Sequence, residues 1–151
     1  MKKTIKLILL MLILLFEVMT YIKAKSVQAA SQGSNISDVQ LLARAINGEA
    51  RGESYEGQVA VGAVILNRVA HPSFPDSLSG VVYQKGAFSC VNDSNWYQAV
   101  AESSKRAARD ALNGWDPSGG AIYYFNPAKT NDSFMHSRTV IKTIGSHKFC
   151  I

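Results

Sequence analysis

The 151 residues, 47% of them hydrophobic and 18% charged, suit one ordinary globular domain and leave no room for a second large one. The formal net charge of +5 overstates how basic the folded part is, because residues 30–151 carry eleven basic against ten acidic side chains. A nucleic-acid partner needs a basic stripe, and Lys105, Arg106 and Arg109 make only a short cluster of the kind found on solvated helix faces, so none is expected.

The chain opens with Met1-Lys2-Lys3-Thr4-Ile5-Lys6 and then runs from Leu7 to Phe16 in almost pure Leu, Ile and Met. That is the n-region and h-region of an export signal, too short to cross a bilayer, with Val27-Gln28-Ala29 as the cleavage site. Residues 1–30 are expected to be removed on export. An uncleaved anchor is the alternative, since Val18, Met19, Tyr21 and Ile22 continue the apolar segment past Glu17. Ala30 to Asn35 are small and polar, so residues 31–36 read as a spacer, and the domain is expected over 37–151.

Ser37 with Gln40 has the form of a capping box, and Val39, Leu42, Ala45 and Ile46 follow at helical spacing. A first helix of about ten residues should therefore run into Gly48-Glu49-Ala50-Arg51-Gly52-Glu53, where the two glycines predict a helix end and place Glu49 beside it. From Gly57 to Ala70 apolar residues cover nearly every face, which predicts a buried central helix ending before Pro72. Leu78 to Gln84 can form a short helix, and Ala87-Phe88-Ser89-Cys90 a loop or short strand. A further amphipathic helix is expected from about Asn95 to Asn113, stopped at Gly114. Ala121 to Phe125, Thr139 to Ile144 and His147 to Cys150 are strand candidates. Helices first and strands later make an α+β domain.

Glu49 follows an apolar helix and precedes a glycine turn, so it can be both partly buried and open to a cleft. Burial favours the protonated carboxyl that a general acid for a glycosidic oxygen must present. Glu53, four residues on, faces the same side if the helix continues. Two such glutamates are more often a surface pair. Tyr123, Tyr124, Phe125 and Asn126, with Phe134 and His136 beyond, gather aromatic faces and an amide that suit sugar rings and their hydroxyls. One face of such a strand must be core, so Asn126 and one of the tyrosines carry most of that reading. Cys90 with His136 or His147 offers a cysteine peptidase as the competing chemistry. Three histidines without H-E-x-x-H or paired cysteines give no zinc pattern, and no phosphate loop is present, so no metal or cofactor is expected. Cys90 and Cys150 either form a bridge, which would close a loop of about 60 residues and contribute around 4 kcal/mol, or remain buried thiols.

Four ordered segments carry a resemblance: Ala45 to Glu53, Gly57 to Val69, Asn113-Gly114-Trp115-Asp116-Pro117 and Tyr123-Tyr124-Phe125-Asn126-Pro127. Together with the ending Ile144 to Cys150 they resemble the catalytic domain of spore-cortex-lytic cell-wall hydrolases of the SleB and CwlJ type, over essentially all of 37–151. The resemblance implies a lysozyme-like or lytic-transglycosylase-like single domain acting on peptidoglycan glycan strands in the wall or spore cortex during germination. It places the catalytic acid at Glu49 and makes Glu53 a supporting residue. Glu53, Phe88, Tyr124 and Asn126 are the residues expected to hold the strand. A lytic transglycosylase needs no second catalytic carboxylate, unlike an ordinary retaining or inverting glycosidase. SleB-type proteins commonly carry a peptidoglycan-binding module ahead of this domain where this sequence has only a short spacer. A partner protein or confinement in the wall would then replace it; an accessory or inhibitory spore protein is a candidate partner, and a monomer is expected. The alternative is an inactive peptidoglycan-binding or regulatory protein on the same fold.

Overall fold

The computed structural model describes residues 38–151 and, from the leader, Met11. The Ser37 capping box, the cleavage site and the spacer lie outside the described residues. The chain divides at Ser37/Asp38, and the unit from Asp38 to Ile151 holds every element below. Among the described residues no helix is long and apolar enough to cross a membrane.

Helix α1 occupies residues 38–50 and carries Glu49 in its last turn. Helix α2, Tyr55–Ala70, starts where the Ser54 side chain accepts the Gly57 N–H, and it is buried from Gly57 through Ile65. That burial follows from its all-round apolar sequence. Gly62 is the point of closest approach between helices. A Cβ there would lie 2.8 Å from Ile46 Cδ1 of α1 and 3.2 Å from the Ala111 Cβ. Only glycine lets three helices meet so closely.

Helix α3, Leu78–Val82, is capped by Ser77, and two 3-10 turns follow at Ser89–Asn92 and Ser94–Tyr97. Helix α4 spans Glu102–Leu112, seven residues shorter at its start than the pattern predicts. Two tertiary bonds account for the difference. Arg44 donates to the Trp96 carbonyl at 2.6 Å, which fixes a 3-10 turn with Trp96 buried. Asn47 Oδ1 accepts the Ala101 N–H at 3.0 Å and so caps α4, whose N-cap residue Ala101 has no capping side chain.

The second half is a three-stranded antiparallel sheet of β1 (Tyr123–Phe125), β2 (Val140–Ile144) and β3 (His147–Cys150), in the order β1-β3-β2. Tyr124 pairs with Phe149, and a bulge falls between Val140 and Lys142. A one-turn helix that the pattern did not suggest, α5 (Ser133–His136), is capped by Asp132 between β1 and β2. The Asp116 carboxylate builds the turn into β1 by accepting N–H groups of Ser118 and Gly120, and the Asn67 amide holds Asp116 and the Ala121 carbonyl together. The turn is structural, in line with its sequence.

The core has two parts. One joins α1, α2, α3 and α4 with Phe88 and Trp96, and the other seats Ala121, Ile144 and Phe149 on Ala60, Val61 and Val64 of α2. Each fully buried large side chain contributes about 1.5–3 kcal/mol. Tyr124 packs against both clusters, which ties the sheet to the helices next to Glu49. Cys90 and Cys150 are free and buried.

Candidate active site

A cavity of about 710 Å³ opens between the end of α1, α2, the segment after α3, and the β1–α5 region. That size accommodates a ligand of several rings. Glu49, Tyr123, Tyr124, Asn126, Arg68 and His147 all line it. Glu49 reaches it because α1 ends at residue 50 and the following turn drops away.

Two donors hold the Glu49 carboxylate. The Tyr124 hydroxyl donates to Oε2 at 3.2 Å, and the Cys90 N–H approaches Oε1 at 3.4 Å. Burial and the neighbouring Glu49 push the Tyr124 phenol well above its ordinary range, so the hydroxyl keeps its proton and donates to Glu49. Gly48 makes the approach of the Cys90 segment feasible, since a Cβ there would lie 2.5 Å from Cys90 Cβ.

Glu53 lies in a different place from the one its spacing suggests. The helix stops before it, and its carboxylate turns to the β2–β3 connection, where it accepts from the Ser146 N–H at 3.2 Å and from the Ser146 hydroxyl. His147 Nδ1 lies 3.6 Å from Glu53 Oε1, buried and without a hydrogen bond. The Ser146 hydroxyl pulls the Glu53 carboxyl below its usual range, and burial keeps His147 below its own, so the imidazole is neutral at pH 7. Its ring stands edge-on to Tyr124 at 5.3 Å. Glu53 therefore lies behind the cavity, joined to Tyr124 through His147.

Phe88 also differs from expectation. It is 4% exposed and belongs to the helical core, and its ring also packs beneath the Arg68 guanidinium at 5.3 Å. It presents no free face to a ligand. Asn126 lines the cavity, but its Oδ1 is taken by the Ala128 N–H at 2.9 Å, which leaves its amide hydrogens as the available groups. Tyr123 meets Phe74 and Phe134 edge-on at 5.9 and 5.7 Å and forms the aromatic wall.

The cysteine chemistry is not assembled. Burial and the Glu49 charge push the Cys90 thiol up to about 12, the opposite of an activated nucleophile. His136 is spent on the Thr130 carbonyl at 2.9 Å and on the Phe125 ring, and His147 faces Glu53.

Pattern reasoning passed over Arg68, which is 8% exposed on α2 and lines the cavity. A lone cation inside an otherwise apolar helix was the available signal. Burial lowers its pKa, and the neighbouring Tyr124, Tyr123 and Glu49 side chains work against that shift.

Comparison with known proteins identifies the family. The family model described as Cell Wall Hydrolase matches residues 52–150, a stretch that begins three positions after Glu49. A spore cortex-lytic enzyme of Halalkalibacterium halodurans is 53% identical over 128 residues, covering 85% of this chain and 38% of that protein, so the chain spans well under half of that relative's length. The cell wall hydrolase CwlJ of Bacillus subtilis is 32% identical over 120 residues, covering 75% of this chain and 84% of that one. The solved catalytic domain of the germination-specific lytic transglycosylase SleB from Bacillus anthracis superposes with a TM-score of 0.72 at 51% identity, over 76% of this chain and 93% of that one. The chain belongs to the cell wall hydrolase family, and its described domain has the α+β fold of the SleB catalytic domain.

Proposed function

We propose that this protein cleaves the glycan strands of peptidoglycan as a lytic transglycosylase, with Glu49 as the acid and then the base. The observation that carries the reading is the Glu49 carboxylate at the end of α1, facing a 710 Å³ cavity with the Tyr124 hydroxyl on Oε2. The proton of Glu49 passes to the glycosidic oxygen as its bond to the muramic C1 breaks. The resulting carboxylate takes the proton of the C6 hydroxyl as O6 bonds to C1, which closes a 1,6-anhydro ring and restores the acid. Tyr124 steadies the carboxylate between the two steps. No water and no second carboxylate enter the balance. Tyr123, Tyr124 and Asn126 hold the sugars, and Glu53 keeps His147 and Tyr124 in place.

The setting follows from the same reading. Residues 1–30 direct export, and the domain acts in the cell wall or spore cortex, as the names of its relatives suggest.

The test is mass spectrometry of the fragments that the purified protein releases from spore-cortex and from vegetative peptidoglycan. Anhydro-muramic ends support the mechanism. Reducing ends point to a hydrolase, with Asp132 of the same cavity as the candidate water-activating base. Cut stem peptides, or binding without any product, contradict glycan cleavage.

A further inference from the structure

The acid and base steps leave Arg68 unused. Its guanidinium carbon sits 5.1 Å from the Phe74 ring centre, 5.3 Å from Phe88 and 5.6 Å from Tyr123, and its Nε–H donates to the Ile122 carbonyl at 2.7 Å. Three rings and one backbone bond thus fix both the position and the plane of the group. Among the described residues no carboxylate lies within ion-pair distance of it. An arginine cannot shed its proton to relieve burial, and the rings offset only part of the lost hydration.

A guanidinium has five N–H donors, and Nε accounts for one. The other four find no acceptor among the described residues, yet they are not enclosed, and Arg68 lines the cavity that Glu49 faces. A rigid, charged fork with a free edge is suited to an oxygen that only accepts hydrogen bonds. On a sugar strand the strongest such acceptors are acyl carbonyls. Hydroxyls also donate, and they match an all-donor fork less well.

We propose that Arg68 is a substrate-holding residue whose free guanidinium edge donates to an acyl oxygen of the bound strand, acetamido or lactyl, and so sets the strand's register against Glu49. This rests on the glycan-cleaving reading above. The ring cage pre-organises the donor, so little side-chain freedom is lost when the strand binds.

The experiment uses the Glu49→Gln protein, which holds a strand without cutting it. Two tetrasaccharides serve as probes: one of alternating N-acetylglucosamine and N-acetylmuramic acid, and one of N-acetylglucosamine alone, which lacks the lactyl group. The Arg68 guanidinium N–H signals are followed by NMR during titration, and affinities are compared with Arg68→Met and Arg68→Lys on the same background. The inference expects the Arg68 signals to move on binding, and about a 10- to 100-fold loss of affinity in Arg68→Met, smaller in Arg68→Lys, from losing charge-assisted hydrogen bonds. Movement with both probes assigns the acetamido carbonyl, and movement with the muramic probe alone assigns the lactyl one. On the active background KM should rise more than kcat falls, which a purely structural role would not produce. Binding that moves Gly48 and Tyr124 signals while Arg68 stays still overturns the inference and leaves glycan recognition standing. Should Arg68→Met fail to fold, the NMR titration still decides. No binding of either probe overturns the glycan reading and this inference with it.

Discussion

Gly48→Ala tests whether the α1 end and the Cys90 turn fix Glu49 by direct contact. The new methyl would lie 2.5 Å from Cys90 Cβ and 2.8 Å from its Sγ, closer than real side-chain carbons approach, so one segment must yield. Overpacking of this kind costs about 1–3 kcal/mol, and alanine's better helix propensity returns at most about 1 kcal/mol. The net loss should be about 1–2 kcal/mol, a fall in melting temperature of roughly 4–8 °C for a domain of this size. Because Cys90 N–H and Glu49 Oε1 meet across the same contact, the displacement should also lower activity, by as much as ~100-fold for a shift near 1 Å. Cys90→Gly removes both offending atoms, so the double variant should recover about 1–2 kcal/mol of coupling. Thermal melts and release of soluble fragments from peptidoglycan, measured on all four proteins, read both effects. A Gly48→Ala protein that melts within a degree of wild type, or a double variant whose losses simply add, would refute the reasoning.

Three further outcomes follow from the same geometry. Tyr124→Phe should lower kcat by about 10- to 100-fold through loss of one hydrogen bond to a charged carboxylate, with melting temperature nearly unchanged; equal loss of stability and activity would mean that the hydroxyl holds the fold rather than the reacting carboxylate. Glu53 has a folded pKa lowered by Ser146, so its stabilisation is complete above the unfolded carboxyl pKa and disappears as pH falls through the folded value. Glu53→Gln should therefore melt lower than wild type at pH 7 and converge with it on acidification towards pH 3, and parallel curves would rule this linkage out. With its thiol pushed up to about 12, Cys90 has about one molecule in ten thousand ionised at pH 8. Iodoacetamide should leave the native protein unlabelled at Cys90 and fully active, whereas rapid labelling with loss of activity would revive the cysteine peptidase.

Period and turn chemistry made much of this legible. The unbroken apolar surface of Gly57 to Ala70 announced the central helix, and Gly52 announced the turn that leaves Glu49 at the cavity edge. The early start assigned to α4 failed because Arg44 and Asn47, some fifty residues away, take the Trp96 carbonyl and the Ala101 N–H out of a continuous α-helix. No local pattern encodes such bonds. Glu53 had the spacing to share a face with Glu49, yet its partner is Ser146, 93 positions on. Phe88 looked free in a loop and is buried in the helical core, with a cation of α2 over its ring. Arg68 itself went unread because one cation in a largely apolar helix looks like noise until its neighbours are known.

The central claim, that Glu49 drives glycan cleavage, is tested most directly by the turnover of Glu49→Gln on purified glycan strands, with its melting temperature recorded alongside. Loss of a general acid should lower kcat by about 10²–10⁴-fold while the fold is retained and strand binding persists. Turnover within a few-fold of wild type in a folded Glu49→Gln protein would contradict the account.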